Sequence, residues 1–120
     1  MRFSTLAATA VCLALSMGSA VAGDQDFTLV NKTGYEINKV FGRESGTRDW
    51  GSDILGRDTL DDGESVLIKF DHDENACKWD MRVVYSDNDT STWTGLNLCK
   101  ISKVSLFWDR KNQRTTARLD

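Results

Sequence analysis

Cys77-Lys78-Trp79-Asp80-Met81-Arg82-Val83-Val84-Tyr85-Ser86 alternates almost without a break. Cys77, Trp79, Met81, Val83 and Tyr85 fall on one side, and Lys78, Asp80, Arg82 and Ser86 fall on the other, with Val84 as the apolar exception. A period of two belongs to a half-buried β-strand, because successive side chains point to opposite faces of a pleated ribbon. The segment is therefore predicted to be a central strand with one face on a core.

The same reading extends outward. Val66, Ile68 and Phe70 alternate with Ser65, Leu67 and Lys69, and Phe27 and Leu29 alternate about Thr28. Tyr35, Ile37 and Phe41 share a face that Lys39 interrupts, which predicts a strand over 35–42 near a sheet edge. Strands are also predicted over 90–95 and 99–108, and the change of phase between Ile101 and Val104, Leu106 and Trp108 suggests a bulge. Thr115, Ala117 and Leu119 mark a last strand. Turn residues separate these runs at Lys32-Thr33-Gly34, Asp61-Asp62-Gly63, Asp73-Glu74-Asn75 and Asp87-Asn88-Asp89. No window carries apolar residues at helical spacing. About seven short strands at such intervals imply an all-β fold, an antiparallel β-sandwich. The one long irregular stretch, 43–59, reads as a loop held to the core by Trp50.

The chain has 120 residues, 15 Lys or Arg against 18 Asp or Glu, 40% hydrophobic residues and no proline. This excludes a multidomain protein, a disordered or collagen-like chain and a basic nucleic-acid binder. Residues 1–22 read as an export signal: Arg2, an apolar stretch from Leu6 to Met17, then Ala20-Val21-Ala22 as a cleavage site. That stretch is shorter than the roughly 20 residues a membrane-spanning helix needs, so no transmembrane segment is predicted. Cleavage after Ala22 leaves 23–120 as a single domain, periplasmic or secreted, with 14 Lys or Arg against 18 Asp or Glu. Its positive charge gathers late, at Arg110, Lys111, Arg114 and Arg118, as a solvated strand or a patch for anionic polymer or lipid.

Cys12 leaves with the signal, so Cys77 and Cys99 remain as an even pair in an oxidising compartment, which predicts a disulfide between them. Closing that loop stabilises the fold by roughly 3.4 kcal/mol in the chain-entropy model. The gain matters in a domain whose small size makes it marginal.

Catalysis lacks its usual parts. The mature chain has one histidine, His72, no unpaired cysteine, no Gly-x-Ser-x-Gly elbow and no phosphate- or dinucleotide-binding glycine pattern. An enzyme would have to use paired Asp residues as a hydrolase or lyase, and most Asp residues sit in turns that favour them anyway. The sequence is therefore read as non-enzymatic.

Calcium is the competing expectation, since clustered turn carboxylates suit a hard cation. Asp71, Asp73 and Asn75 open like an EF-hand loop, but Ala76 and Arg82 stand at the positions that need Gly and Glu. Asp87, Asn88 and Ser91 resemble the calcium motif of βγ-crystallins, with Asp61, Asp62 and Ser65 as a partial second copy. Tyr35 and Gly42 are similar to that family's aromatic–glycine hairpin, although Val66 and Thr92 replace the motif's final serine. Asn31-Lys32-Thr33 and Asn88-Asp89-Thr90 match the glycosylation pattern and are read as turn residues. Of the four tryptophans, Trp50 and Trp93 are the candidates for an exposed, ligand-stacking role, and Trp79 belongs to the core face.

Five strings carry a wider resemblance: Asp26-Phe27-Thr28-Leu29-Val30-Asn31-Lys32-Thr33-Gly34-Tyr35-Glu36-Ile37, Asp49-Trp50-Gly51-Ser52-Asp53-Ile54-Leu55, Leu60-Asp61-Asp62-Gly63-Glu64-Ser65-Val66, Cys77-Lys78-Trp79-Asp80-Met81-Arg82-Val83 and Trp93-Thr94-Gly95-Leu96-Asn97-Leu98-Cys99. Together they resemble a family of small exported proteobacterial proteins, over nearly all of the mature chain. The resemblance brings no functional residues with it. Some members bear the label argininosuccinate lyase, which does not fit here: that enzyme is a large helical tetramer with a Gly-Ser-Ser-x-Met-Pro signature, and this chain is short and strand-rich. The sequence as a whole implies a non-catalytic binding or interaction module without a resident cofactor. Its partner would be a protein or small molecule, not nucleic acid.

Overall fold

The structure is a computed structural model that describes residues 25–70 and 75–120; the predicted signal at 1–22 lies outside them. Seven strands follow in order: β1 (Phe27–Lys32), β2 (Ile37–Glu44), β3 (Ser65–Ile68), β4 (Lys78–Tyr85), β5 (Thr90–Asn97), β6 (Lys103–Asp109) and β7 (Arg114–Leu119). They form a four-stranded sheet of order β3-β1-β6-β7 and a three-stranded sheet of order β2-β4-β5. The fold is an all-β sandwich, as the alternation predicted, with β4 at the centre of its sheet.

Between the sheets lies one core. Phe27 and Leu29 of β1, Ile68 of β3, and Val104 and Leu106 of β6 face Ile37 and Val40 of β2, Trp79, Met81, Val83 and Tyr85 of β4, and Leu96 of β5. Leu29, Ile37, Val40, Val83, Val104 and Leu106 are wholly inaccessible. At roughly 1.5–3 kcal/mol for each large apolar side chain removed from water, this layer is the main source of stability.

Three local features differ from the alternation read in the sequence. First, β1 and β6 run parallel, with Thr28 opposite Lys103 and Lys32 opposite Phe107, while every other pair is antiparallel. Parallel neighbours need a long crossover, and here the whole second sheet supplies it. Second, the register slips between Ile37 and Lys39. This bulge puts Val40 inward and Phe41 outward beside Arg82, so Phe41 does not share the face of Ile37. Third, the phase change before Val104 comes from a single 3-10 turn, Leu98–Lys100, in place of a bulge.

Cys77 and Cys99 are joined, with sulfurs 2.05 Å apart and Cα atoms 5.2 Å apart. The bond ties the chain entering β4 to the turn leaving β5, at the end of the sandwich away from the β4–β5 hairpin.

The 43–59 stretch closes the open side of β2. The Ile54 amide donates to the Val40 carbonyl (2.7 Å), the Asp53 carboxylate accepts from the Val40 amide (2.9 Å), and Ile37 and Leu60 exchange a pair of backbone bonds. An uncovered strand edge invites pairing with another chain, and here a loop occupies it.

Candidate functional site

The end of the sandwich opposite the disulfide gathers three connections: the β1–β2 turn, the β4–β5 hairpin and the β6–β7 turn. The β1–β2 turn is built on Asn31, which is wholly buried. Its Nδ2 donates to the carbonyls of Tyr35 (2.7 Å) and Leu60 (2.9 Å), and its Oδ1 accepts from the Thr33 amide (3.0 Å) and hydroxyl (2.7 Å). Gly34 sits at φ +86°, a left-handed conformation that a side chain would strain, and its amide donates to Asp62 Oδ1 (2.8 Å). A turn held this firmly carries Tyr35 outward, where the residue is 54% exposed.

Two further rings meet it. Tyr35 stands edge-on to Tyr85 (6.4 Å between centroids, 81°) and to Trp108 (5.8 Å, 83°). Tyr85 ends β4 and shares a buried hydrogen bond with the Thr115 hydroxyl. Burial pushes its phenol pKa above the ordinary value. The rings form walls of a cleft of about 390 Å³ that also takes in Asp87, Asp89 and Gln113.

The hairpin fixes the Asp87 carboxylate and the Asp89 backbone. Asn88 adopts φ +73°, the Asp89 amide donates to Asp87 Oδ1 (3.0 Å), and the Tyr85 amide donates to the Asp89 carbonyl (2.9 Å). Among the described residues, neither Asp87 nor Asp89 is in an ion pair, and the two pairs present are Arg43–Asp80 and Arg118–Asp120. On the β6–β7 turn, Asp109 accepts from Asn112 and from the Lys111 amide. Those bonds, Asn112's first, hold its carboxyl below the usual range.

A second polar cluster lies on the outer face of the three-stranded sheet. Asp80 is 4% exposed. It accepts from Ser45 Oγ (2.7 Å), Arg43 Nε (3.1 Å) and the Gly95 amide (3.1 Å). The Ser45 bond leads in depressing its pKa, burial opposes, and Gly95 and Arg43 add to the lowering. The Arg43 and Arg82 guanidinium carbons lie 4.0 and 4.6 Å from the centre of the Trp50 ring. Trp50 is thus half-buried against two cations and ties the long loop to the sheet.

The other sequence candidates are dispersed. Trp93 is half-buried and packs on the core, and it borders a separate cleft with Ser91, Arg114 and Thr116. Asp87 faces the aromatic cleft, so Asp87 and Ser91 of one crystallin-like string face different spaces. In the partial copy, Asp62 is engaged by Gly34, Ser65 begins β3, and Asp61 borders a shallow depression with Asp58 and Glu64. Both strings flank the β1–β2 turn, since the Ser86 amide donates to the Glu36 carbonyl. Among the described residues, no three His, Cys, Asp or Glu side chains are grouped to hold a metal ion. Asn31, one of the two glycosylation-pattern asparagines, is internal.

Sequence reading passed over the Tyr35–Tyr85–Trp108 cleft. The alternation assigns Tyr35 to a strand and groups Trp108 with Val104 and Leu106, whereas Tyr35 lies in the turn before β2. The available signal is that Tyr35 adjoins Gly34, that Tyr85 ends β4 and that Trp108 is the last residue but one of β6.

The fold and this cleft define a small two-sheet β-sandwich with a ligand-sized opening among its loops. No family model and no curated protein matches the chain. A solved structure described as "NMR structure of the protein from Eubacterium rectale" is similar, with a TM-score of 0.57 and 14% identity over 85% of this chain and 90% of that one. At that identity the likeness is one of fold.

Proposed function

We propose that this chain is an exported, non-catalytic binding module, periplasmic or secreted after cleavage near Ala22, whose ligand seats in the Tyr35–Tyr85–Trp108 cleft. Membership of the small exported proteobacterial family that the sequence resembles is part of the same reading. The observation that carries it is Tyr35, a large aromatic ring 54% exposed on a turn fixed by a buried asparagine. An exposed aromatic on a rigid support, beside two more rings and a few polar groups, is the usual make-up of a small-molecule site. Support for export comes from the 1–22 pattern and from a cysteine pair that persists in oxidising surroundings.

The test is NMR of the purified protein against a panel of small aromatic, sugar and amine fragments. Shifts clustered on Tyr35, Tyr85, Trp108 and the 86–89 hairpin are expected. Shifts scattered over the surface, or centred on Trp50 or Trp93, would remove the cleft as the site.

A further inference from the structure

We propose that the cleft selects an organic cation, a small molecule bearing a quaternary ammonium group; this rests on the cleft being the binding site. Two features of the wall point to that class. Aromatic rings carry negative faces that attract a cation lying within about 6 Å. Tyr35 is nearly perpendicular to both Tyr85 and Trp108, so the rings enclose a corner. A corner suits a compact, roughly spherical group, whereas stacking a flat sugar ring needs a single open platform.

Charge gives the second argument. Asp87 and Asp89 border the same space, and among the described residues neither is neutralised by an ion pair. Among the described residues no Lys or Arg lines this cleft, and Arg114 lies opposite Asp109 and borders the neighbouring one. An anionic ligand would meet two carboxylates and the electron-rich faces of three rings.

The Tyr85 hydroxyl is engaged with Thr115 and is not left to serve a ligand, while the remaining wall is ring and carboxylate with the polar groups of Ser86 and Gln113. A quaternary ammonium donates no hydrogen bond and needs none. It is held by ring faces and by charge alone.

The experiment titrates the purified protein with choline and, separately, with neohexyl alcohol, its uncharged carbon isostere of the same shape. The Trp108 indole N–H signal and the 86–89 amides are followed by NMR. Choline is expected to bind about tenfold more tightly than the isostere. The double variant Asp87→Asn with Asp89→Asn is expected to lose about fivefold for choline and nothing for the isostere. Tyr35→Ala, at an exposed position, is expected to weaken both. Vesicles of phosphatidylcholine form a further arm: if they bind more tightly than free choline, the same headgroup chemistry is read from a lipid.

Equal affinity for choline and the isostere would overturn cation selection while leaving the cleft as a site. Neutral fragments that shift Trp108 when choline does not would do the same. A panel in which no compound shifts Trp108 or the hairpin would overturn both this proposal and the reading beneath it.

Discussion

Replacing Asn31 by Ala tests whether one buried amide holds the binding end together. The change removes four hydrogen bonds of 2.7–3.0 Å. Their partners fare differently. The Leu60 carbonyl keeps the Ile37 amide and the Tyr35 carbonyl keeps the Thr33 hydroxyl, but the buried Thr33 amide is stranded. An orphaned buried donor costs about 1–3 kcal/mol, and each net hydrogen bond contributes about 1 kcal/mol. Allowing for overlap between these effects, the loss is about 3 kcal/mol. For a domain near 100 residues this lowers Tm by roughly 12–24 °C. Urea unfolding of the two proteins, followed by fluorescence, measures it. The Tyr35 ring should also lose its fixed contacts with Tyr85 and Trp108 in ring-proton spectra. A loss below about 1 kcal/mol with Tyr35 unmoved would refute the role given to Asn31.

Replacing Cys77 and Cys99 together by Ala should cost roughly 3 kcal/mol, read as a lower urea midpoint, and reduction of the native protein should reproduce it. Asp80→Asn should cost about 2 kcal/mol at neutral pH, because it weakens bonds from Ser45, Arg43 and Gly95 to a charged acceptor. Since the folded Asp80 carboxyl titrates below its unfolded value of about 3.9, its contribution is full above that pH and disappears as pH falls through the folded value. Unfolding curves of Asp80→Asn and the native chain should therefore converge in acid, and a gap independent of pH would contradict the assignment. The Tyr85 phenol is raised, so the stability it gives is intact below about pH 10 and lost as pH climbs through its folded value. Ultraviolet titration should show a late phenolate step that Tyr85→Phe abolishes. Calorimetry with millimolar calcium should give no heat and no rise in Tm, and a saturable signal lost in Asp87→Asn would restore the crystallin-like alternative.

Periodicity made the sandwich readable because burial on one face forces alternation, and β4 shows it from Lys78 to Tyr85. It misread Asp80, which alternates like a solvent-facing residue yet is buried under Ser45, Arg43 and the Gly95 amide. Those partners come from two other strands and a loop, at separations of 15 to 37 positions, beyond any local window. Bulges likewise erase phase, as between Ile37 and Lys39. The cleft is hidden for a related reason: its rings come from the β1–β2 turn, β4 and β6, and the pairing of β1 with β6 brings Tyr35 beside Trp108. Asn31 reads as a turn residue, but it lies within β1, and its inward side chain holds the turn that follows.

The slot occupied by β1 also governs the order in which the molecule can be made. Thr28 has its parallel neighbour at Lys103, 75 positions downstream, and its other flank is the four-residue β3. A nascent chain emerging head first can pair β1 with β3 midway but leaves the other edge of β1 open until synthesis is nearly complete. Distant closures of this kind slow folding, and the waiting edge is open to foreign strands. Under the export proposed above, the same delay would keep the chain threadable through a narrow pore, and a holding chaperone would be most valuable in the interval before β6 arrives.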